Sequence, residues 1–234
     1  MSALLALLQL GDGRFPAGGH VHSAGIESAV ADGRVTGQRS LEDYLRGRLT
    51  TVGLTDAALV AASVIRLDAE QSDGSDLLGS VIAELDAEVE ARIAPPPLRS
   101  ASRKLGRQLT RVAARCWPDP LFASLSAAHL EGVHQPVALG AAAVVSGASP
   151  VGAATVSVHH ALNTPAQAAV RLLGLDPFAA VAIAVSLAPE ADAIVAAAVA
   201  AAHGPLADLP ARTGPRCEIA AVDHETWDLR LFAT

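Results

Sequence analysis

Histidines offer this chain its widest choice of chemistry, and eight of them are spread over 234 residues. His20 and His22 lie two apart in a glycine-rich stretch, His159 and His160 are adjacent, and His129 and His134 flank a turn signal. His224 is followed directly by Glu225. An imidazole can serve as a general base or as a metal ligand, but a catalytic metal needs three or four ligands. On a helix the familiar arrangement sets two histidines four residues apart around a glutamate. None of these pairs has that spacing, and Cys116 and Cys217 are far apart with no Cys-x-x-Cys motif. Adjacent residues on a helix point about 100° apart, so His224 and Glu225 do not touch. We therefore assign no catalytic residue and no metal ligand. A helical metal-dependent enzyme using the His20/His22 loop stands as the alternative.

Basic residues show the second regular spacing. Arg99, Arg103, Arg107, Arg111 and Arg115 follow one another at four-residue steps, with Lys104 beside them and no acid until Asp119. On a helix this stripe drifts by about 40° per step. It reads either as a solvated face or as a docking surface for an acidic protein.

The elements that carry these residues are helical throughout. Leu4, Leu5, Leu7, Leu8 and Leu10 form one wide apolar helix face that Gly11, Asp12 and Gly13 stop. Pro16, Gly18 and Gly19 shape the following loop, and Ser23 is placed to cap the next helix with Glu27 in its first turns. The Gly-Gly pair lacks the lysine of a phosphate-binding loop. Further helices are expected from residue 39 or 40 to about 53 and from 55 or 56 to about 71. A polar connection follows at 71–75, then a helix over 77–93 whose Glu84, Asp86, Glu88 and Glu90 mostly face water. Pro95, Pro96 and Pro97 must end it. The basic helix spans 98–117, and others cover 120–131, 136–147, 151–173 and 177–202, with Pro165 and Pro189 marking kinks or breaks.

Composition narrows the class. Hydrophobic residues make up 51% of the chain and aromatics only 3%, with alanine abundant, so helices should pack closely through small side chains. The net charge of −7 argues against a nucleic-acid binder. Two isolated cysteines and a start with no basic, signal-like region fit a cytoplasmic protein. Residues 132–170 contain no Asp, Glu, Lys or Arg. Interruption by Gly140, Gly147 and Pro150 favours two buried helices joined at 146–150 over a membrane span, leaving a membrane-associated scaffold as a further alternative. After Gly204 the chain turns to Pro205, Pro210, Gly214 and Pro215, a mobile tether leading to a tail suited to ordering on a partner. The expected fold is all-α: a single compact multi-helix bundle over residues 1–204 with a flexible C-terminal tail over 205–234.

Several separated motifs also resemble those of one family. Leu8-Gln9-Leu10, Pro16-Ala17-Gly18-Gly19 and His22-Ser23-Ala24-Gly25-Ile26-Glu27 are similar to the N-terminal signature of the UreF urease accessory proteins. Arg99-Ser100-Ala101-Ser102 with Gly106-Arg107 resembles that family's central R-x-x-S-x-x-x-G motif. Glu218-Ile219-Ala220, His224-Glu225 and Arg230-Leu231-Phe232 resemble its C-terminal tail. The chain departs at His20, where the family usually carries an aromatic, at Val21, which replaces a small polar residue, and at Asp223 and Trp227.

The resemblance implies a non-enzymatic maturation factor that assists assembly of the urease nickel centre. It implies no tightly bound cofactor, with nickel handled only in the assembled complex. The implied partners are UreD (also called UreH), the GTPase UreG and, through the complex, apo-urease, together with a second copy of the chain as a homodimer. The protein would bridge UreD to UreG and regulate GTP-dependent nickel insertion, without nucleic acid or membrane. The implied partner-binding residues are Pro16, Gly18, Gly19, His22, Ser23 and Glu27 in the N-terminal motif, and Arg99, Ser102, Gly106 and Arg107 on the basic helix. Glu218, His224, Glu225, Arg230 and Leu231 in the tail complete them.

Overall fold

A computed structural model describes residues 2–73 and 77–232, and every secondary-structure element among the described residues is helical. Of the connection expected at 71–75, residues 74 and 75 lie outside them, and the helix before it continues to Asp73. Helix α1 (Ala3–Gly11) is capped by the Ser2 hydroxyl and leads through the glycine-rich loop to the short α2 (Ile26–Ala31). Helix α3 (Gln38–Arg48) then passes through one π-helical turn, Leu49–Gly53, straight into α4 (Leu54–Asp73). The sequence predicts a break after Gly53, and the structure replaces it with this bulge. Gly53 is buried, and a Cβ there would stand 3.2 Å from the Arg48 carbonyl and 3.6 Å from Ala161 Cβ, so the bulge doubles as a close contact with a later helix.

Helix α4 is the centre of the molecule. Ala57, Ala58, Leu59, Val60, Ala61 and Ala62 are all almost completely buried, and the helix packs against α8 (Gln135–Val145), α9 (Pro150–Leu173) and α11 (Ala188–Ala202). Small residues permit the approach: a Cβ on Gly140 of α8 would lie 2.4 Å from Ser63 Cβ. The continuous helix from Gln38 to Gln71 is long and apolar enough to cross a membrane by length and composition. Of its most apolar stretch, 67% is buried inside the fold, as befits a central core helix. The uncharged residues 132–170 form α8 and α9, with the Ser149 hydroxyl capping α9 by accepting the Gly152 N–H at 3.1 Å. Burial explains their missing charge, since eight consecutive residues of α8, Pro136 to Ala143, are buried.

Around this core run α5 (Leu78–Arg92), α6 (Pro96–Cys116), α7 (Leu121–Ala128), α10 (Pro177–Ser186) and α12 (Pro215–His224). The proline run separates α5 from α6 as expected, with Pro96 in the first turn of α6. Pro165 sits inside α9 without ending it, whereas Pro189 marks a 50° bend between α10 and α11. Asp86 departs from the expected water-facing role on α5: it is only 7% exposed and pairs with Arg103 of α6 at 2.9 Å.

Where the sequence reads as a mobile tether, the structure holds the chain against the body. Leu206 and Leu209 are buried, and the Arg92 guanidinium donates to the carbonyls of Leu206, Leu209 and Pro210 at 3.0–3.2 Å. The Thr55 hydroxyl donates to the Arg212 carbonyl at 2.9 Å and accepts its N–H at 3.0 Å. A buried guanidinium must find acceptors, and irregular backbone with free carbonyls supplies them. Helix α12 then docks against α2 and α6.

Candidate functional site

The loop after α1 is built by local hydrogen bonds. Asp12 accepts from Arg14 through both carboxylate oxygens, at 3.1 and 2.8 Å, and this pairing holds its carboxyl down at about 2. Phe15 stacks on Trp117 at the end of α6, and the exposed Gln108 donates to the Pro16 carbonyl at 3.0 Å. Gly18 and Gly25 both adopt positive φ, 89° and 83°. At Gly25 a side chain would also press on the Tyr44 hydroxyl, 3.1 Å from its Cβ position. The N-cap of α2 is this Gly25, two residues beyond the Ser23 expected from sequence. Ser23 is buried and its hydroxyl still accepts the Glu27 N–H, at 3.4 Å.

Glu27 joins the two ends of the chain. Glu27 is 6% exposed, and its carboxylate accepts the Leu231 N–H at 2.8 Å and the Phe232 N–H at 3.2 Å and meets His224 Nε2 at 2.9 Å. His224 is itself buried beneath Trp227, with ring centroids 4.8 Å apart. Phe232 is buried under the Arg171 guanidinium, 4.4 Å above its ring, and Arg171 also donates to the His20 carbonyl. The N-terminal and C-terminal motifs, about 200 residues apart in sequence, thus form one structure. Their exposed side is made by Pro16, His20, Glu225, Arg230 and Leu231, with Leu231 exposing 72% of its surface although its N–H is held. The His224-Glu225 dipeptide divides as helical geometry requires, His224 inward and Glu225 outward.

Beneath this junction lies a cleft of about 600 Å³ between the glycine-rich loop, α4, α6, α9 and α12, with His22, Arg48, Asp56, Ser102, His160 and Glu218 among its polar walls. Burial, with smaller contributions from Lys104 and His20, pushes His22 below the ordinary imidazole range. His160 is pushed down to about 4 by burial and by its neighbour His159. Burial raises Asp56 to about 6 against the opposing pull of Arg48. Neutral imidazoles and a reluctant carboxylate line a partly apolar space. Among the described residues, however, no group of three His, Cys, Asp or Glu stands close enough to hold a metal ion.

The central motif is placed differently. Arg99 pairs with Glu90 at 2.9 Å and caps the Ile93 and Ala94 carbonyls. The Ser102 hydroxyl accepts the Gln135 N–H at 3.2 Å, and Gly106 lies against the backbone of residues 133–135 at the start of α8. Arg103 pairs with both Asp86 and Glu90, Asp86 accepts the His134 N–H at 2.7 Å, and His134 Nε2 meets Glu90 at 2.7 Å. Arg99, Ser102 and Gly106 therefore join α5, α6 and α8 internally, and Arg107 alone of this group faces solvent. Sequence reasoning missed Asp86, His134 and Arg92 as buried polar groups. The proline run closing α5 next to an Arg-rich helix was the available hint.

The UreF family model matches residues 35–188. The chain belongs to the UreF family. Over its full length it is 40% identical to the urease accessory protein UreF of Mycobacterium sp. (strain JLS) and 39% identical to that of Mycolicibacterium vanbaalenii, covering 100% of each relative. It is 40% identical over 177 residues to the UreF of Mycobacterium tuberculosis (strain H37Rv), 76% of each chain. Membership of a family of urease accessory proteins places this UreF protein in urease maturation. The Glu27 junction lies outside the span of the family model but inside the two full-length matches.

Proposed function

We propose that this UreF protein is a non-enzymatic, cytoplasmic adaptor that bridges UreD to the GTPase UreG and gates GTP-dependent nickel insertion into apo-urease. The observation that carries this reading is the Glu27 junction, where the N-terminal and C-terminal motifs form a single exposed surface able to meet one partner. An adaptor of this kind controls a GTPase by binding one nucleotide state better than another, which shifts its population. Nickel is cargo in this scheme, passed on only in the assembled complex. Self-association is part of the same reading. Helix α10 has no charged residue, and Phe178, Val181 and Val185 are 86%, 50% and 66% exposed along one face.

The test is a coexpression pull-down with UreD and UreG from the same organism, comparing the full chain with a Leu229→Asp/Leu231→Asp variant. Both leucines are exposed, so the fold is expected to survive. The reading expects the wild-type chain to recover both partners and the variant to lose UreD. Equal recovery of UreD by the two, or no partner with the wild type, overturns it.

A further inference from the structure

The four-residue arginine spacing on α6 has two different fates along the helix. A drift of about 40° per step accumulates to about 160° from Arg99 to Arg115, so the two ends of the stripe face opposite sides. Arg99 and Arg103 turn inward to the acids of α5. Lys104, Arg107, Arg111 and Arg115 turn outward, and all four are exposed without an ion pair among the described residues. Arg107 to Arg115 covers about 12 Å of helix, a concentrated positive field on a chain of net charge −7.

An apolar knob stands beside this field. The turn at residues 129–132 is closed by the Gly132 N–H donating to the His129 carbonyl at 2.9 Å and by the Glu131 N–H donating to His129 Nδ1 at 3.2 Å. Arg103 donates to the Gly132 carbonyl at 3.0 Å and ties the turn to α6. Gly132 has φ +96°, and a Cβ there would come within 2.5 Å of Arg107 Cβ, so only glycine lets the turn lie directly against Arg107. Leu130 at its tip is 99% exposed. A leucine held rigidly in water beside free guanidiniums has no role in the core and suits a small apolar pocket ringed by acids.

We infer that Lys104, Arg107, Arg111, Arg115 and Leu130 form a docking surface for an acidic protein face with an apolar pocket that receives Leu130. Nucleic acid is the weaker fit, because a phosphate backbone offers Leu130 nothing and the chain as a whole repels a long polyanion. The inference rests on the adaptor reading and adds a second surface to it, distinct from the Glu27 junction.

The test measures the affinity of the full chain for UreD, UreG and apo-urease from the same organism, at low and moderate salt. It compares wild type, the Arg107→Gln/Arg111→Gln/Arg115→Gln variant and Leu130→Ser, with duplex DNA as competitor. All four positions are exposed, so both variants should keep the wild-type circular dichroism. Affinity for one of the three proteins should fall about tenfold or more in the triple variant and about tenfold in Leu130→Ser, and the triple variant should lose most of the salt dependence. Wild-type affinity for all three proteins in both variants overturns the surface while leaving the adaptor reading intact, as does displacement of the protein by DNA. If the wild-type chain binds none of the three, the adaptor reading fails and the surface with it.

Discussion

Substituting Gly106→Ala probes the contact between the central motif and α8. A methyl group at this position would stand 1.9 Å from the Val133 carbonyl oxygen, 2.8 Å from the carbonyl carbon of His134 and 3.0 Å from the Gln135 nitrogen. All three are backbone atoms, so no rotamer change relieves the clash, and the chain at 133–135 must retreat by about 1.1 Å. That retreat strains the bonds converging there: Asp86 to the His134 N–H, Ser102 to the Gln135 N–H and Arg103 to the Gly132 carbonyl. Overpacking costs about 1–3 kcal/mol and the three strained hydrogen bonds about 1 kcal/mol each, while replacing a helical glycine regains about 1 kcal/mol, for a net loss of roughly 3–5 kcal/mol. With a urea slope of about 2–3 kcal/mol/M, the unfolding midpoint should fall by about 1–2.5 M. The assay is urea denaturation followed by circular dichroism at one protein concentration, so that self-association is held constant. Gly47→Ala serves as the opposite control: it lies in a helix interior with nothing within 4 Å of the added methyl and should gain about 1 kcal/mol. A Gly106→Ala midpoint equal to wild type, or both variants moving in the same direction, refutes the reasoning.

Glu27→Gln keeps the shape of the junction but removes the charge that binds His224 and the two backbone N–H groups. Exchange of the Leu231 and Phe232 amides should accelerate by about tenfold or more, as read by hydrogen exchange; unchanged protection would show that the carboxylate does not hold the tail. Asp56→Asn tests the half-buried carboxylate in the cleft. Because its folded pKa is raised to about 6, the stabilising contribution of the protonated form is present below the unfolded value near 3.8 and lost as pH rises through 6. The amide should therefore stabilise the protein by roughly 1–3 kcal/mol at about pH 7.5 and by little at about pH 4. His160 acts with the opposite sign: its depressed pKa contributes stability above the ordinary imidazole value that is lost as pH falls toward 4. A stability gain for Asp56→Asn that grows with acidification contradicts the assignment.

Much of the fold was legible because helix periodicity and punctuation are local signals. The proline run between α5 and α6, the junction at 146–150 and the uncharged pair α8 and α9 all follow from residues near one another in sequence. The π-helical turn at Leu49–Gly53 was not legible, because Gly53 reads as a stop and only its contact with Ala161 shows why the helix continues. The contacts of the tail were hidden for a similar reason. Pro205, Pro210 and Gly214 signal irregular backbone, and sequence alone does not show that Arg92, more than 110 residues earlier, will bind its carbonyls. At the site, motif residues could be named, but their grouping could not. The pairing of Glu27 with His224 spans 197 residues, while the arginine stripe divides into paired and free halves only once α5 supplies Asp86 and Glu90.

The most direct test of the central claim is the nickel content and activity of urease purified from cells that carry the urease structural and accessory genes with this chain deleted. The urease from these cells is expected to be assembled but largely nickel-free and inactive, and to be restored by supplying the chain. Urease with wild-type nickel and activity in its absence would contradict a role in maturation.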